Sequence, residues 1–312
     1  MRVRYSFGSR HTGRIKNIKK QRGKYPKVMK DVVEISDIIL EILDARFVEE
    51  TRNHEVEGKI LDAGKILVYV INKSDLVDRK KLEKNLPKWM KPYVFVSATK
   101  NIGLSDLKAR VKMEAKRISK TRSEIKDELS SMQRIHVGVI GYPNAGKSSV
   151  INFITKKGAA KTAKQAGFTR GMQKIRMSEG ILILDTPGVI PEDKYSTETN
   201  SFAEDVKVGA RTYSDVKNPE DIVFYLIRSP EPEDPENTTE KEKAAEDEAK
   251  RNSDAIDKFY EIDSKGNVEV LIEKLGKKLG HLGKGGKVDT DRTARVILRD
   301  WQEGKIHQKN SL

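Results

Sequence analysis

Short apolar runs alternate along the chain with stretches in which apolar residues recur every three or four positions. Continuous apolar runs of this length are typical of strands that helices cover on both faces. The candidate strands are residues 38–43, 66–71, 94–96, 136–140, 174–177 and 181–184. The alternation predicts an α/β domain with a largely parallel sheet of six strands, counted from these runs.

The pattern changes after Pro191, where three apolar stripes at helical spacing follow. The first begins at Asn218 and Pro219, the second covers residues 268–279, and the third runs from near Thr290 to Gly304. These stripes are more often core than functional surface, so they predict a small all-helical C-terminal domain.

Charge is unevenly distributed along the chain, whose net charge is +14. Residues 1–30 hold eleven Lys/Arg and no acid, whereas residues 230–250 hold nine acids and three bases and favour a solvated loop. A thermophile's surface chemistry would explain abundant Lys and Glu, but not base concentrated at the N-terminus. The excess of base therefore favours a polyanionic partner such as nucleic acid.

These features together predict three units along the chain. A basic N-terminal segment covers residues 1–30, the α/β domain covers 31–204, and the helical domain covers 205–312 and contains the acidic loop at 230–250. We find no internal repeat.

Two absences narrow the class of protein. The chain has no cysteine and five scattered histidines, which argues against disulfide scaffolds, thiol nucleophiles and zinc sites. No run of eighteen apolar residues occurs, and the first residues lack the apolar stretch of a secretory signal. We therefore expect a cytoplasmic protein with no membrane segment.

A phosphate-binding loop follows the fourth candidate strand. The segment GYPNAGKS at residues 141–148 matches the pattern GxxxxGK[ST] and lies between a strand and a helical stretch. Its glycines let main-chain N–H groups converge on phosphate oxygens, Lys147 reaches the β- and γ-phosphates, and the Ser148 hydroxyl coordinates Mg²⁺. The predicted contacts are Pro143, Asn144, Ala145, Gly146, Lys147, Ser148 and Ser149.

Two segments downstream of this loop complete a predicted γ-phosphate and metal site. Asp185-Thr-Pro-Gly188 ends a strand, which places an acid beside the metal of Ser148 and a glycine N–H at the γ-phosphate. Thr169 lies in the basic stretch GFTRG, where its hydroxyl would complete the Mg²⁺ shell from a mobile switch. The alternative for Thr169 is an ordinary solvated loop residue.

The segments that would bind the base stand upstream of the phosphate-binding loop. Asn72-Lys73-Ser74-Asp75 and Ser97-Ala98-Thr99-Lys100 each follow a strand. The Asp75 carboxylate can accept two N–H groups that guanine presents and adenine lacks, so it selects guanine. Lys73 and Lys100 have stems long enough to sandwich the base, and the Ala98 N–H would donate to the guanine O6.

The order NKSD, SATK, GYPNAGKS, GFTRG, DTPG resembles the circularly permuted ribosome-assembly GTPases of the YlqF/RbgA family. The resemblance covers most of the chain and includes Asp44-Ala45-Arg46 and the C-terminal GKGGKVDTDRTARVILRDWQEGK. It implies a factor that binds GTP or GDP with Mg²⁺, hydrolyses GTP, and acts on the precursor of the large ribosomal subunit through ribosomal RNA. It assigns no chemistry to Asp44 or Arg46.

The predicted catalytic set is incomplete. Many GTPases place a glutamine just after DxxG to orient the attacking water, but this chain has Val189 there. The resemblance implies that Asn144 helps to hold a K⁺ ion against the phosphates, the alternative being an ordinary turn residue. It also points to a catalytic histidine in an N-terminal segment, for which His11 is the partial match, although a tail histidine without a role fits equally.

The catalytic residues named on this basis are Asn144, Lys147, Thr169, Gly188 and His11. We expect a monomeric GTPase whose slow intrinsic hydrolysis is stimulated by the ribosomal particle. One alternative is an RNA-binding assembly protein that holds GTP with little turnover, and another is a P-loop enzyme that uses ATP.

Overall fold

The computed structural model describes residues 25–124, 134–155, 173–185, 199–209, 211–228 and 239–306. The strands are β1 Ile38–Asp44, β2 Ile66–Asn72, β3 Tyr93–Phe95, β4 Ile135–Gly141, β5 Gln173–Ser178 and β6 Ile181–Asp185. They form one sheet in the order β3-β2-β1-β4-β6-β5. Every neighbouring pair is parallel except β5 with β6, which is antiparallel. The predicted largely parallel sheet is confirmed, and each strand lies within one residue of its predicted bounds.

Helices cover both faces of the sheet. They are α1 Tyr25–Ile35, α2 His54–Asp62, α3 Arg79–Asn85, α4 Leu104–Glu124 and α5 Lys147–Thr155. Val32 of α1 and Ile60 of α2 belong to the core on one face together with Ile39 of β1. Val111 of α4 and Ile151 of α5 belong to the core on the other face. Because both faces are buried, the strands are nearly continuous apolar runs.

The winding direction of the sheet reverses between β1 and β4. From β1 the chain continues outward to β2 and β3, whereas from β4 it crosses the other way to the edge strand β5 and returns to β6, beside β4. In open α/β sheets, ligands bind outside the carboxyl ends of the strands at such a switch point. The fold thus points to the carboxyl ends of β1 and β4 as the place for a site.

The described residues after β6 form helices and short 3₁₀ turns. The helices are α6 Thr199–Lys207, α7 Pro219–Ile227, α8 Glu240–Tyr260, α9 Val268–Lys278 and α10 Thr290–Gln302. The three predicted stripes correspond to α7, α9 and α10. Asn267 and Asp289 cap α9 and α10 through their side chains, and Gly304 follows α10 with a φ of 73°.

The boundary that we expected between residues 204 and 205 falls inside α6. Ala203 and Val206 of α6 share one core cluster with Val139 of the sheet and Trp301 of α10. The division into an α/β domain and a helical domain therefore stays a prediction.

The prediction of an acidic loop over residues 230–250 is wrong for its second half. Residues 240–250 belong to α8, while residues 229–238 lie outside the described part of the chain. Apart from Asp247, the segment EKEKAAEDEAK consists of strong helix formers. The helix then buries Ala249, Asn252 and Ile256 on one face. The sequence did not reveal this buried face, because acidic residues dominate the first half of the helix and most of the face lies beyond residue 250.

Candidate functional site

The segments that carry the predicted motifs meet at one edge of the sheet. Asp44, Asn72, Gly141 and Asp185 are the last residues of β1, β2, β4 and β6. In the register of β1 with β2, Asp44 lies directly beside Asn72. Ser97 follows β3 by two residues. The parallel strands thus bring segments far apart in sequence to one place, as the switch point predicts.

The loop between β4 and α5 has the backbone that a phosphate cradle requires. Gly141 and Gly146 have φ values of 143° and 96°, and Asn144 adopts the left-handed conformation at 59°. The Lys147 ammonium is buried and donates to the carbonyls of Gly141 at 2.9 Å and Tyr142 at 2.8 Å, which curves the loop around it. Ser148 lies exposed in the first turn of α5, where main-chain N–H groups are available to an anion.

The side chain of Asn72 joins the two base-binding segments to the phosphate-binding loop. Its Nδ2 donates to the Ala145 carbonyl at 2.9 Å, and its Oδ1 accepts from the Ala98 N–H at 3.3 Å. A Cβ atom on Gly146 would lie 2.3 Å from Asn72 Nδ2. Only glycine therefore allows this close approach. In this structure the Ala98 N–H is directed to Asn72, so its predicted donation to the guanine O6 stays a prediction.

The carboxylate predicted to select guanine is poised for a ligand. Asp75 is the middle residue of the 3₁₀ turn Ser74–Leu76, just beyond β2. Among the described residues, none forms a hydrogen bond with its buried Oδ1 atom. A buried acceptor without a partner is costly unless a ligand supplies the donor. This atom therefore fits the N–H groups of a guanine base.

The segment Ser97–Lys100 is held by its own hydrogen bonds. Ser97 Oγ accepts from the Lys100 N–H at 3.2 Å and lies 3.3 Å from Thr99 Oγ1. The main chain of Ser97 also pairs with Ile102 in both directions. Thr99 and Lys100 are exposed. The turn is thus fixed while the side chains expected at the base face solvent.

Lys73 makes contacts that its motif does not predict. It has a φ of 59°, and its ammonium lies 2.8 Å from Asp44 Oδ2. Burial lowers the pKa of Lys73, and Asp44 opposes that shift. Although burial favours its protonated form, the pKa of Asp44 is well below its ordinary value because Arg46 and Lys73 both stabilise the charged carboxylate. The sequence had given Asp44 and Arg46 no role, and no motif indicated these contacts.

Asn144 links the phosphate-binding loop to the segment after α6. Its Nδ2 donates to the Gly209 carbonyl at 2.9 Å. This contact gives Asn144 a structural role besides the predicted K⁺ site, which stays a prediction.

Three predicted residues, His11, Thr169 and Gly188, lie outside the described part of the chain, as does Val189. For Asp185 the structure places the main chain at the end of β6. The roles predicted for His11, Thr169, Gly188 and Asp185 in catalysis and Mg²⁺ binding therefore stay predictions. Within the ranges that the structure describes, no helix has both the length and the apolar character that crossing a bilayer requires.

Comparison with known proteins relates the chain to GTP-binding proteins. Residues 136–261 match the family MMR_HSR1, described as 50S ribosome-binding GTPase. The uncharacterized GTP-binding protein MJ1464 of Methanocaldococcus jannaschii is 34% identical over 281 residues, covering 90% of this chain and 65% of that protein. Nuclear GTP-binding protein NUG1 of Saccharomyces cerevisiae is 30% identical over 308 residues, covering 93% of this chain and 56% of that protein. The chain thus spans somewhat more than half of these relatives' length.

Solved structures of YlqF share the fold. The GNP-bound structure of YlqF from T. maritima has a TM-score of 0.55 and 19% identity, covering 91% of this chain and 96% of that one. The GDP-bound structure has a TM-score of 0.53 and 21% identity. At this level of identity the similarity concerns the fold alone. The circular permutation is inferred from the order of the motifs in this sequence. Residues 136–261 thus match an MMR_HSR1 GTPase domain, and the chain shares the fold of YlqF.

Proposed function

We propose that the chain binds GTP and GDP at the carboxyl edge of the sheet and hydrolyses GTP. The observation that carries this proposal is the position of Asn72, which ties the phosphate-binding loop to the Ala98 turn, while Asp75 Oδ1 has no hydrogen-bond partner in the described part of the chain. A guanine base would supply the missing donors to Asp75. The phosphates would lie over Lys147 and the first turn of α5.

Mg²⁺ would be held by the Ser148 hydroxyl, by Thr169, and by Asp185 through water. Ser148 is exposed at the start of α5, and Asp185 ends the strand beside β4. The ion would neutralise charge that develops on the phosphates. The chain's own contribution is to present oxygen ligands from α5 and β6 at one edge of the sheet.

Hydrolysis is proposed to be slow in the free protein. Val189 cannot orient water, so the missing group would come from a K⁺ ion near Asn144, from His11, or from the bound particle. The rival function is an RNA-binding assembly protein that holds GTP without turnover, and Val189 is the residue that favours it.

Phosphate release separates these two functions. We expect release to be faster in K⁺ than in Na⁺, and faster again when large ribosomal subunits are added. Replacing Asn144 by alanine should remove the difference between the two cations, because the amide oxygen would no longer contribute to the ion site. Turnover that stays at background in every condition, with GTP bound, would establish the rival function.

The polyanion that the basic surface would bind is proposed to be ribosomal RNA in the large-subunit precursor. The description of the matching family as a 50S ribosome-binding GTPase supports a ribosomal partner. On the helical unit, a cleft of about 460 Å³ is lined by Tyr213, Tyr260, Arg292 and Arg299 among others. Arginines beside aromatic rings provide phosphate contacts and stacking surfaces for RNA. The monomeric state and the compartment stay predictions.

Removing two of the three arginines that line this cleft should weaken binding to large subunits. We expect the double variant Arg292→Gln and Arg299→Gln to bind about tenfold more weakly at physiological salt, and to lower the salt slope by roughly two because two phosphate contacts are lost. Co-sedimentation with separated subunits over a salt series, under GDP and under a GTP analogue, measures both effects. Lys80→Gln, on exposed α3, is the matched control. If the affinity and the salt slope were both unchanged, this cleft would not be the RNA-binding surface.

A further inference from the structure

The Asp44 carboxylate holds two cations at the end of β1. Its Oδ1 accepts from the main-chain N–H and the Nε of Arg46, both at 3.0 Å, and its Oδ2 accepts from Arg46 Nη2 at 2.7 Å and Lys73 Nζ at 2.8 Å. The Asp44 side chain is 1% exposed and that of Arg46 is 9% exposed. Such a charge-assisted, bidentate pair has one geometry. Asp44 therefore fixes where both cations point.

Arg46 and Lys73 also form hydrogen bonds with the C-terminal end of α10. Arg46 Nη1 donates to the Trp301 carbonyl at 2.9 Å, and Lys73 Nζ donates to the Gln302 carbonyl at 3.4 Å. Carbonyls in the last turn of a helix carry the negative end of its dipole, and each has two lone pairs, so the Trp301 carbonyl accepts Arg46 besides the Gly304 N–H at 3.0 Å. The C-terminal end of α10 is thus a natural acceptor for these two cations.

The loop that carries Asp75 also touches the end of α10 directly. A Cβ atom on Gly304 would lie 2.5 Å from Leu76 Cδ1, and Leu76 is the residue after Asp75. Lys73 itself holds a left-handed conformation, which is uncommon for a residue with a side chain and persists when its surroundings enforce it. The end of α10 is part of those surroundings.

The same helix end is joined to the phosphate side of the site. Gln302 Nε2 donates to the carbonyls of Val206 and Arg211, both at 2.8 Å, and Trp301 Nε1 donates to the Lys207 carbonyl at 3.0 Å. Gly209, in this connecting segment, accepts from Asn144 of the phosphate-binding loop. The end of α10 therefore contacts elements that lead to both ends of the expected nucleotide.

From these contacts we propose that Asp44 and Arg46 are positioning residues for guanine binding, which hold Lys73 in place and couple it to the docked end of α10. This inference rests on the proposed guanine site. When a guanine nucleotide binds and orders residues 73–75, it also stabilises the docked position of the end of α10. Docking of that end then raises the affinity for the nucleotide by the same factor by which the nucleotide favours docking.

Two readouts test the coupling in the full chain. GDP at saturation should slow hydrogen exchange of main-chain amides in residues 296–306. Arg46→Lys keeps the charge but loses the fork that joins Asp44 to Trp301, and should weaken GDP binding about fivefold or more and abolish that protection. Gln302→Ala, which removes no contact to the base segments, should weaken GDP binding as well. Arg79→Lys is the matched control, because the guanidinium of Arg79, on exposed α3, lies over the ring of Phe95 as that of Arg46 lies over the ring of Phe47.

Each outcome has one meaning. If wild-type protein binds no GDP, the proposed function itself fails. If GDP binds but leaves exchange at residues 296–306 unchanged, and Arg46→Lys and Gln302→Ala bind it as wild type does, the coupling is overturned and the guanine site stands. A variant that only lost stability would exchange faster with and without GDP, yet would keep the GDP-dependent protection.

Discussion

Replacing Asp75 by asparagine is expected to weaken GDP and GTP binding by about 10²- to 10⁴-fold. The carboxylate would accept two N–H groups of the base, and each charge-assisted hydrogen bond contributes about 1.5–3 kcal/mol. Asparagine also directs an N–H group at donors of the base. Because xanthine carries an oxygen in place of guanine's exocyclic amine, the variant should gain affinity for xanthosine diphosphate. Titration calorimetry with both nucleotides measures the exchange of preference.

Asp78→Asn is the matched control for this prediction. Asp78 lies three residues further on and caps α3 by accepting from the main-chain N–H groups of Lys80 and Lys81. Asparagine caps a helix as well as aspartate does, so this variant should bind GDP as wild type does. Equal affinity of Asp75→Asn and wild type for GDP would show that Asp75 does not contact the base. Competition by ATP against GTP in wild type would favour an ATP-using enzyme.

The sheet was predictable because its strands are buried on both faces and carry an unmistakable apolar signal. The motifs were predictable because each follows a strand end, where the parallel topology gathers residues at one edge. One polar residue inside β1 shows what local sequence patterns cannot predict. Glu41 is fully buried and accepts the Asn53 N–H at 2.9 Å. Burial, with Glu57 nearby, raises the pKa of Glu41 well above its ordinary value. Its partner lies twelve residues away, beyond the reach of local patterns.

The contacts that join the nucleotide-binding loops to the segments after β6 could not be predicted from the sequence. Arg46 and Trp301 are separated by 255 positions. The acceptor on Trp301 is a main-chain carbonyl, which every residue type carries, so no side-chain motif marks it. The same holds for Asn144 and the Gly209 carbonyl. Helix α8 was missed for a different reason, since its acidic beginning resembles a solvated segment although the helix propensity is high.

Removal of the Asn72 side chain is the second change with a large expected effect. In Asn72→Ala the buried Ala145 carbonyl and the Ala98 N–H lose their partner. A main-chain group left unpaired costs about 1–3 kcal/mol, so the free energy of unfolding should fall by roughly 2–4 kcal/mol. Urea unfolding measures this loss. GDP affinity should fall by at least about tenfold, because the loops for base and phosphate no longer share one geometry.

A second substitution at the same position separates loop geometry from general stability. Asn72→Asp keeps the shape and the acceptor for Ala98 but replaces the donor to Ala145 by an oxygen, so two acceptors face each other. We therefore expect weakened GDP binding even at temperatures where the variant is fully folded. Exposed Asn85, the last residue of α3, supplies the control Asn85→Ala, which should change neither measurement. Wild-type GDP affinity in folded Asn72→Asp would mean that the hydrogen bond to Ala145 only adds stability, and that Asp75 and the phosphate-binding loop act without a common support.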